Sequence, residues 1–279
     1  MLNAIIKQTV SVAIMATSVF MISCGGESET ARAARLLYEQ ARSCNLDGNP
    51  MEALILLDSL QSTYKTETEW QRSAMKLRPT VMINSTEMQI KAVEDSIAML
   101  EELYNSLLPR MKKVDDPRLV EPYYVDKATF NAEFMNGTGL QPRVSEIGQF
   151  YFVSSVNPGG LRHTGFTLAG DSDTATAGPV PYDGEMNYRI NGSEVITYSP
   201  EQSEAAGKLA AENRGRAMTL ILTGGKSSNM KLGSKQVDAI ANCYDFSRAI
   251  VDARQLAFER ERLNRQLDIA RSQAERLAE

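Results

Sequence analysis

The segment that comes nearest to a chemical motif is Leu222-Thr223-Gly224-Gly225-Lys226-Ser227. A lysine that follows glycines at the end of a strand can bind nucleotide phosphates, but such a loop also needs a glycine five residues before its second glycine. Leu220 stands at that position, and no helix start follows Lys226. We therefore predict a tight Gly-Gly turn here, with residues 229–233 continuing as a loop.

The available side chains limit metal and nucleophile chemistry. His163 is the only histidine, which excludes most zinc sites and every histidine-paired nucleophile that does not use it. We expect a structural or exposed role for His163. Cys44 and Cys243 belong to no CxxC motif, so we expect buried thiols, with a disulfide between them as the alternative.

One loop offers oxygen atoms and a modification signal. Asp171 and Asp173 lie among glycines and threonines and could bind calcium, although the following residues depart from the EF-hand pattern. Asp173-Thr174-Ala175 also resembles an O-glycosylation signal of exported proteins in some Gram-negative lineages, which makes Thr174 a candidate acceptor. We assign no catalytic residue, no metal centre and no cofactor.

Composition narrows the classes of partner. The net charge is −5 and no basic run occurs, so a nucleic-acid partner is not expected. Aromatic side chains in the middle of the chain could stack on a sugar or a peptide, with packing as the alternative role. These are Tyr123, Tyr124, Tyr182 and Tyr188.

The N-terminus has the pattern of an export signal. Lys7 precedes an apolar run from Val10 to Ile22 that is too short to span a bilayer as a helix. The run ends in Met21-Ile22-Ser23-Cys24, with two glycines after the cysteine. This resembles the lipobox of bacterial lipoproteins, in which an aliphatic residue and a small residue precede the cysteine.

The resemblance implies that residues 1–23 are a signal peptide removed by cleavage before Cys24. It also implies that the Cys24 sulfur receives a diacylglyceryl group and that its amine is acylated. Two or more acyl chains make membrane attachment stable. Residues 24–30 would then be a tether, and we expect a lipid anchor in the outer membrane, on the periplasmic face or at the cell surface. An ordinary signal peptide is the alternative.

Residues 31–66 are predicted to form a helical hairpin. Small and apolar residues lie near the offsets that resemble a tetratricopeptide repeat, with the turn at Leu46-Asp47-Gly48-Asn49-Pro50. A single unit of that kind rarely folds alone. We therefore expect a packing hairpin rather than a peptide-binding groove.

Residues 234–279 are predicted to form one long helix, because no glycine or proline follows Gly233. At 1.5 Å per residue it would be about 65 Å long, so it needs a long partner. Its apolar residues alternate steps of three and four, which keeps one seam against another helix. The seam consists of Phe246, Ala249, Ala253, Leu256, Leu263, Leu267, Ala270, Ala274 and Leu277, and only Arg260 interrupts it.

Residues 67–112 supply the candidate partner. Its second half has the same spacing, at Ile90, Val93, Ile97, Leu100, Tyr104 and Leu107, and Pro79 is expected to kink or break the helix. We predict antiparallel pairing within one chain, with Leu100 facing Phe246 or Ala249. An intermolecular coiled coil is the alternative, because heptads do not specify the chain of the partner.

Residues 113–233 differ in composition from the segments on either side, with more Gly, Pro, Thr and Asn, and they contain runs in which apolar residues alternate with polar ones. Asn191-Gly192 indicates a type I′ hairpin, and Ser199-Pro200 indicates a helix start. Strands are predicted at residues 123–125, 140–144, 149–156, 163–168, 186–190, 195–198 and 218–222. They indicate a small antiparallel sandwich or open barrel.

The predicted fold class is α+β, with a helical hairpin, a long antiparallel helical stalk and an antiparallel β domain inserted in the stalk. The chain resembles envelope lipoproteins with a helical stalk and a small β head. We expect a lipid-anchored binding or assembly module with a protein or glycan partner rather than a catalyst. The alternative is a hydrolase that acts on envelope polymers through carboxylates of the β domain, since paired carboxylates leave no sequence signature.

Overall fold

The computed structural model describes residues 27–117 and 121–278. Cys24 and the predicted signal peptide lie outside the described residues. The described part divides into two compact units, one of residues up to Met82 with Leu277 and Ala278, the other of residues 83–276. None of the described helices is long and apolar enough to cross a membrane.

The order of elements confirms an α+β fold. The described residues contain five α-helices: α1 (Glu29–Leu46), α2 (Pro50–Thr63), α3 (Thr68–Leu107), α4 (Pro200–Glu212) and α5 (Ser234–Ala278). Between α3 and α5 lie ten strands: β1 (Met111–Val114), β2 (Tyr123–Asp126), β3 (Gly139–Ser145), β4 (Phe150–Val156), β5 (His163–Ala169), β6 (Thr174–Ala177), β7 (Asn187–Ile190), β8 (Ser193–Thr197), β9 (Met218–Gly224) and β10 (Ser227–Leu232).

The first unit is the predicted hairpin closed by the start of α3. Helix α1 begins at Glu29, inside the predicted tether, because the Ser28 hydroxyl accepts a hydrogen bond from the Ala31 N–H at 3.0 Å and caps the helix. Gly48, with φ of +79°, makes the turn into α2. The shared core contains Ala41, Ala53, Leu57, Leu60, Ala74 and Val81. Since the last two belong to α3, a third helix supplies the packing that an isolated hairpin lacks.

Pro79 does not end the helix. Helix α3 runs from Thr68 to Leu107 with the proline inside it, and Ala74 and Val81 on either side are fully buried. Arg78 also forms an ion pair with α2, because its guanidinium lies 2.6 Å from the Asp58 carboxylate. Packing on both sides of Pro79 therefore stabilises helical geometry that the proline alone disfavours.

Within the second unit, residues 83–107 of α3 pair antiparallel with α5, and we call this pair the stalk. The Tyr104 ring stacks on Phe246 with centroids 5.1 Å apart. Further along, Gln266 lies 3.5 Å from Thr86, and the Arg271 guanidinium lies 2.9 Å from the Glu87 carboxylate. These contacts confirm antiparallel pairing within one chain.

The predicted seam of α5 is the buried face of that helix. Phe246, Ala249, Leu256, Leu263, Leu267 and Ala270 are buried, whereas Arg260 at the interruption is exposed. Leu277, the last predicted position, is 45% exposed. The spacing of three and four therefore predicted the buried stripe correctly over six turns of helix.

Residues 108–233 form the inserted β domain, which we call the head. It contains a six-stranded antiparallel sheet of order β1-β2-β3-β4-β8-β7 and a four-stranded sheet of order β10-β9-β5-β6. The two sheets share one hydrophobic core, in which the rings of Phe152 from one sheet and Phe166 from the other have centroids 5.2 Å apart. The arrangement is the sandwich rather than the barrel of the two predicted alternatives.

All seven predicted strands are present, and three further strands were missed. Asn191 and Gly192 have φ of +50° and +81° and join β7 to β8 with Ile190 opposite Ser193, which confirms the hairpin. Helix α4 begins at the predicted Ser199 cap. Gly224 to Lys226 turn as predicted, but the expected loop at residues 229–233 is wrong, because Ser227–Leu232 pairs with β9 as β10. Strand β10 was missed because it is an exposed edge strand with a mostly polar sequence. Strands β1 and β6 were missed because each is only four residues long.

The first turns of α5 belong to the head core, and Phe246, the first residue of the seam, belongs to both. Val237, Ile240, Cys243 and Phe246 lie in the same hydrophobic cluster as the sheet residues. Leu107 at the end of α3 lies there too, so both stalk helices meet the head at one level, as an insertion requires. Cys243 is buried and Cys44 half-buried, both as free thiols.

Candidate functional site

A pocket of about 450 Å³ opens where the head meets the stalk. This volume lies within the range of pockets that bind small molecules. Residues from three separate parts of the second unit line it: Leu100, Glu101, Tyr104 and Asn105 from α3, Tyr124 and Glu146 from the head, and Ala249, Ile250 and Ala253 from α5. Leu100 thus shares this pocket with Ala249, as the predicted pairing requires.

Small residues of the seam leave the space. Ala249 and Ala253 stand at stalk positions where a leucine would fill the gap between two helices. Two of the lining rings pack on the buried Phe246: Tyr104 is stacked on it, and Tyr124 lies against its edge with ring centroids 5.4 Å apart. Because the three aromatic rings pack on one another, their side chains already have little rotational freedom, so ligand binding costs little side-chain entropy.

The turn between β3 and β4 is fixed to α5 and positions Glu146. Gly148 has φ of +89°, and a Cβ built on it would lie 2.7 Å from the Ile250 side chain, so only glycine allows this approach. The Ser247 hydroxyl donates to the Gly148 carbonyl at 2.5 Å, and Arg254 donates to the Ile147 carbonyl at 3.0 Å. Glu146 therefore reaches the pocket from a rigid turn.

The two pocket carboxylates are poorly placed for glycoside hydrolysis. Glu146 is half-exposed and forms an ion pair with Lys113, and Glu101 is exposed. A carboxylic acid that protonates a leaving group needs a desolvated, apolar environment. Neither carboxylate of this pocket has such an environment.

His163 is a buried structural residue. Its side chain lies 2.6 Å from Ser154 Oγ through Nε2 and 3.2 Å from the Thr223 carbonyl through Nδ1. Burial lowers the pKa of His163, against a smaller opposing effect of the Thr223 carbonyl. Among the described residues, the hydroxyls hydrogen-bonded to this histidine are those of Ser154 and Tyr198, and both residues are buried.

Glu194 fixes the loop that leads into β5. Its carboxylate is 3% exposed and accepts backbone N–H bonds from Gly160 at 2.9 Å, Arg162 at 3.2 Å and His163 at 2.7 Å. Burial alone would raise the pKa of Glu194, but these three bonds favour the charged form and the pKa is lowered. The loop from Asn157 to Arg162 is therefore ordered by one buried anion.

The predicted calcium or glycosylation loop lies between β5 and β6. Asp173 accepts a hydrogen bond from Ser172 at 2.8 Å, and across the described residues no three His, Cys, Asp or Glu side chains, including those of Asp171 and Asp173, converge as metal ligands. Thr174 is exposed, but it starts β6 rather than lying in the loop. Cys24, the predicted lipidation site, lies outside the described residues.

Sequence reasoning missed most of the pocket. Of the four tyrosines named as aromatic surface, only Tyr124 lines it. Tyr104 and Leu100 were assigned to the seam alone, and Glu101 and Glu146 carry no local signal. Ala249 and Ala253, one turn apart in the seam, were the available indication, although Ala270 and Ala274 repeat that spacing without lining the pocket.

No protein-family model matches this chain, and neither a curated protein nor a solved structure is significantly similar to it.

The role of Glu194 predicts a pH-dependent loss of stability in Glu194→Gln. Because the folded-state pKa is lowered, the charged carboxylate stabilises the fold fully above its unfolded pKa of about 4.3. That contribution declines as the pH falls through the lower folded pKa. We expect the variant to be less stable by about 2 kcal/mol at pH 7 and the difference to shrink toward pH 2 in urea titrations. Glu185→Gln, at an exposed position, is the control, and a difference independent of pH would contradict the assignment.

Proposed function

We propose that this protein is a lipid-anchored envelope protein that binds or assembles a protein or glycan partner, with the pocket between head and stalk as its recognition site. The observation that carries the proposal is the composition of that pocket. Aromatic and aliphatic walls combine with acceptors at Glu101, Asn105 and Glu146, which is the usual make-up of a recognition site.

The lipid anchor is the second part of the proposal. It rests on the lipobox-like run Met21-Ile22-Ser23-Cys24. A cleaved and acylated chain would begin only a few residues before the Ser28 cap of α1, so the tether would be short. A membrane-attached protein with a rigid pair of helices suits a partner in the envelope, on either face of the outer membrane.

The pocket contains residues of both stalk helices, so recognition cannot be assigned to the head alone. Deleting the head would also expose Val237, Ile240 and Phe246 of α5, which are buried in its core. A single substitution inside the pocket is therefore a cleaner test than a deletion.

We expect Ala253→Leu to abolish capture of the partner, because the added side chain fills space between Leu100 and Tyr104. The matched control is Ala257→Leu, at an exposed position one turn further along α5. Affinity capture with the intact protein in membranes, followed by identification of bound proteins and glycans, measures the effect. Equal capture by both variants, with both still folded by circular dichroism, would place recognition elsewhere.

We expect Cys24 to be the acylated first residue of the mature protein. Mass spectrometry of detergent-extracted protein should find the fatty-acyl mass on the N-terminal peptide, and Cys24→Ser should remove it and release the protein from the membrane fraction. An unmodified Cys24 in an uncleaved chain would refute the anchor without affecting the pocket.

A further inference from the structure

The outer face of the six-stranded sheet contains a buried arginine. Side chains alternate between the two faces of a strand, so Val144 and Phe152 face the core, and Arg143 on β3 lies on the opposite face. Arg143 is only 8% exposed. Tyr151 on β4 lies directly opposite it.

The groups that contact Arg143 are polar but uncharged. Its Nε donates to the Gln141 side-chain oxygen at 2.8 Å, and its guanidinium carbon lies 4.1 Å from the centre of the Tyr123 ring. Gln141 is itself 6% exposed. Burial raises the pKa of Tyr151, and the charge of Arg143 and a hydrogen bond from it oppose the rise. Burial also raises the pKa of Tyr188, and there the charge of Arg143 acts from further away. Both phenol groups therefore keep their protons at neutral pH.

In the described part of the chain, no carboxylate lies within ion-pair distance of this charge. Among the residues that the structure describes, no ion pair joins Arg143 to a carboxylate. A charge buried without an opposite charge costs several kcal/mol. The guanidinium also donates to the Tyr151 hydroxyl, and no buried side-chain nitrogen of the described residues lacks a hydrogen-bond partner. Any N–H edge of Arg143 that has no partner is therefore open to solvent, where a ligand can reach it. Arg189 on the same sheet, in contrast, lies 3.8 Å from the Glu194 carboxylate.

We propose that Arg143, with Gln141, Tyr123, Tyr151 and Tyr188 around it, is a binding site for a carboxylate group carried by a ligand. A carboxylate accepts two parallel hydrogen bonds from a guanidinium, and the phenol hydroxyls can donate further ones. Because the site carries a single positive charge, a monoanion neutralises it, whereas a dianion would leave a buried negative charge.

This site is separate from the pocket between head and stalk. Tyr123 and Tyr124 are neighbours in β2, and therefore their side chains lie on opposite faces of the sheet. The charge of Glu121 contributes to the raised pKa of Tyr151, so a carboxylate lies within electrostatic reach of the site and further disfavours a dianion. The inference therefore stands whether or not the pocket binds a partner.

The direct test is NMR titration of the full chain in detergent with sodium benzoate, which offers a carboxylate and an aromatic face. We expect saturable shifts of the Arg143 Nε–Hε signal and of the Tyr151 ring signals. Sodium chloride at equal ionic strength and sodium sulfate, a dianion, should not produce them. Unchanged Arg143 signals, or sulfate binding as tightly as benzoate, would overturn the proposal.

Variants provide a second line of evidence. Arg143→Met should weaken benzoate binding by more than about tenfold, and Arg143→Lys should weaken it less, because a lysine retains the charge without the planar fork. Arg216→Met, at an exposed position of the head, should bind like the wild type. If Arg143→Met binds benzoate with unchanged affinity, the site lies elsewhere. If this variant does not fold, the NMR titration of the wild type alone tests the proposal.

Discussion

The structure depends on one packing constraint: Phe246 must be buried from two sides at once. Its ring stacks on Tyr104 of the stalk and meets the edge of Tyr124 of the head. Helix α5 is thereby part of the head core at its beginning and part of the stalk seam afterwards. Since burying a phenylalanine contributes a few kcal/mol, this contact gives head and stalk a common source of stability.

The pocket follows from the same constraint. Phe246 sets the separation of α3 and α5 where they leave the head, and the alanines that come next are too small to fill it. The turn at Gly148 closes one side through its contact with Ile250. A recognition site at this junction is positioned by regular elements rather than by mobile loops, which favours a preorganised geometry.

The sequence predicted the stalk well because a seam at steps of three and four has few alternatives. It also predicted the hairpin at Asn191-Gly192 and the cap at Ser199, where local residue chemistry determines the geometry. It could not predict β10, whose side chains are mostly polar, nor the burial of residues 239–244 of α5 on all sides. The pocket has only the spacing of Ala249 and Ala253 as a local signal, and the environment of Arg143 has none, because each is assembled from residues far apart in sequence.

Hydrogen exchange measured by mass spectrometry on Phe246→Ala tests most directly whether head and stalk share one core. If head and stalk share one core, Phe246→Ala should make the amides of α5, of residues 97–107 in α3 and of β4 lose protection together. Phe258→Ala, at a position 66% exposed, should leave all three unchanged. Loss of protection confined to α5, with α3 and β4 as protected as in the wild type, would contradict a shared core.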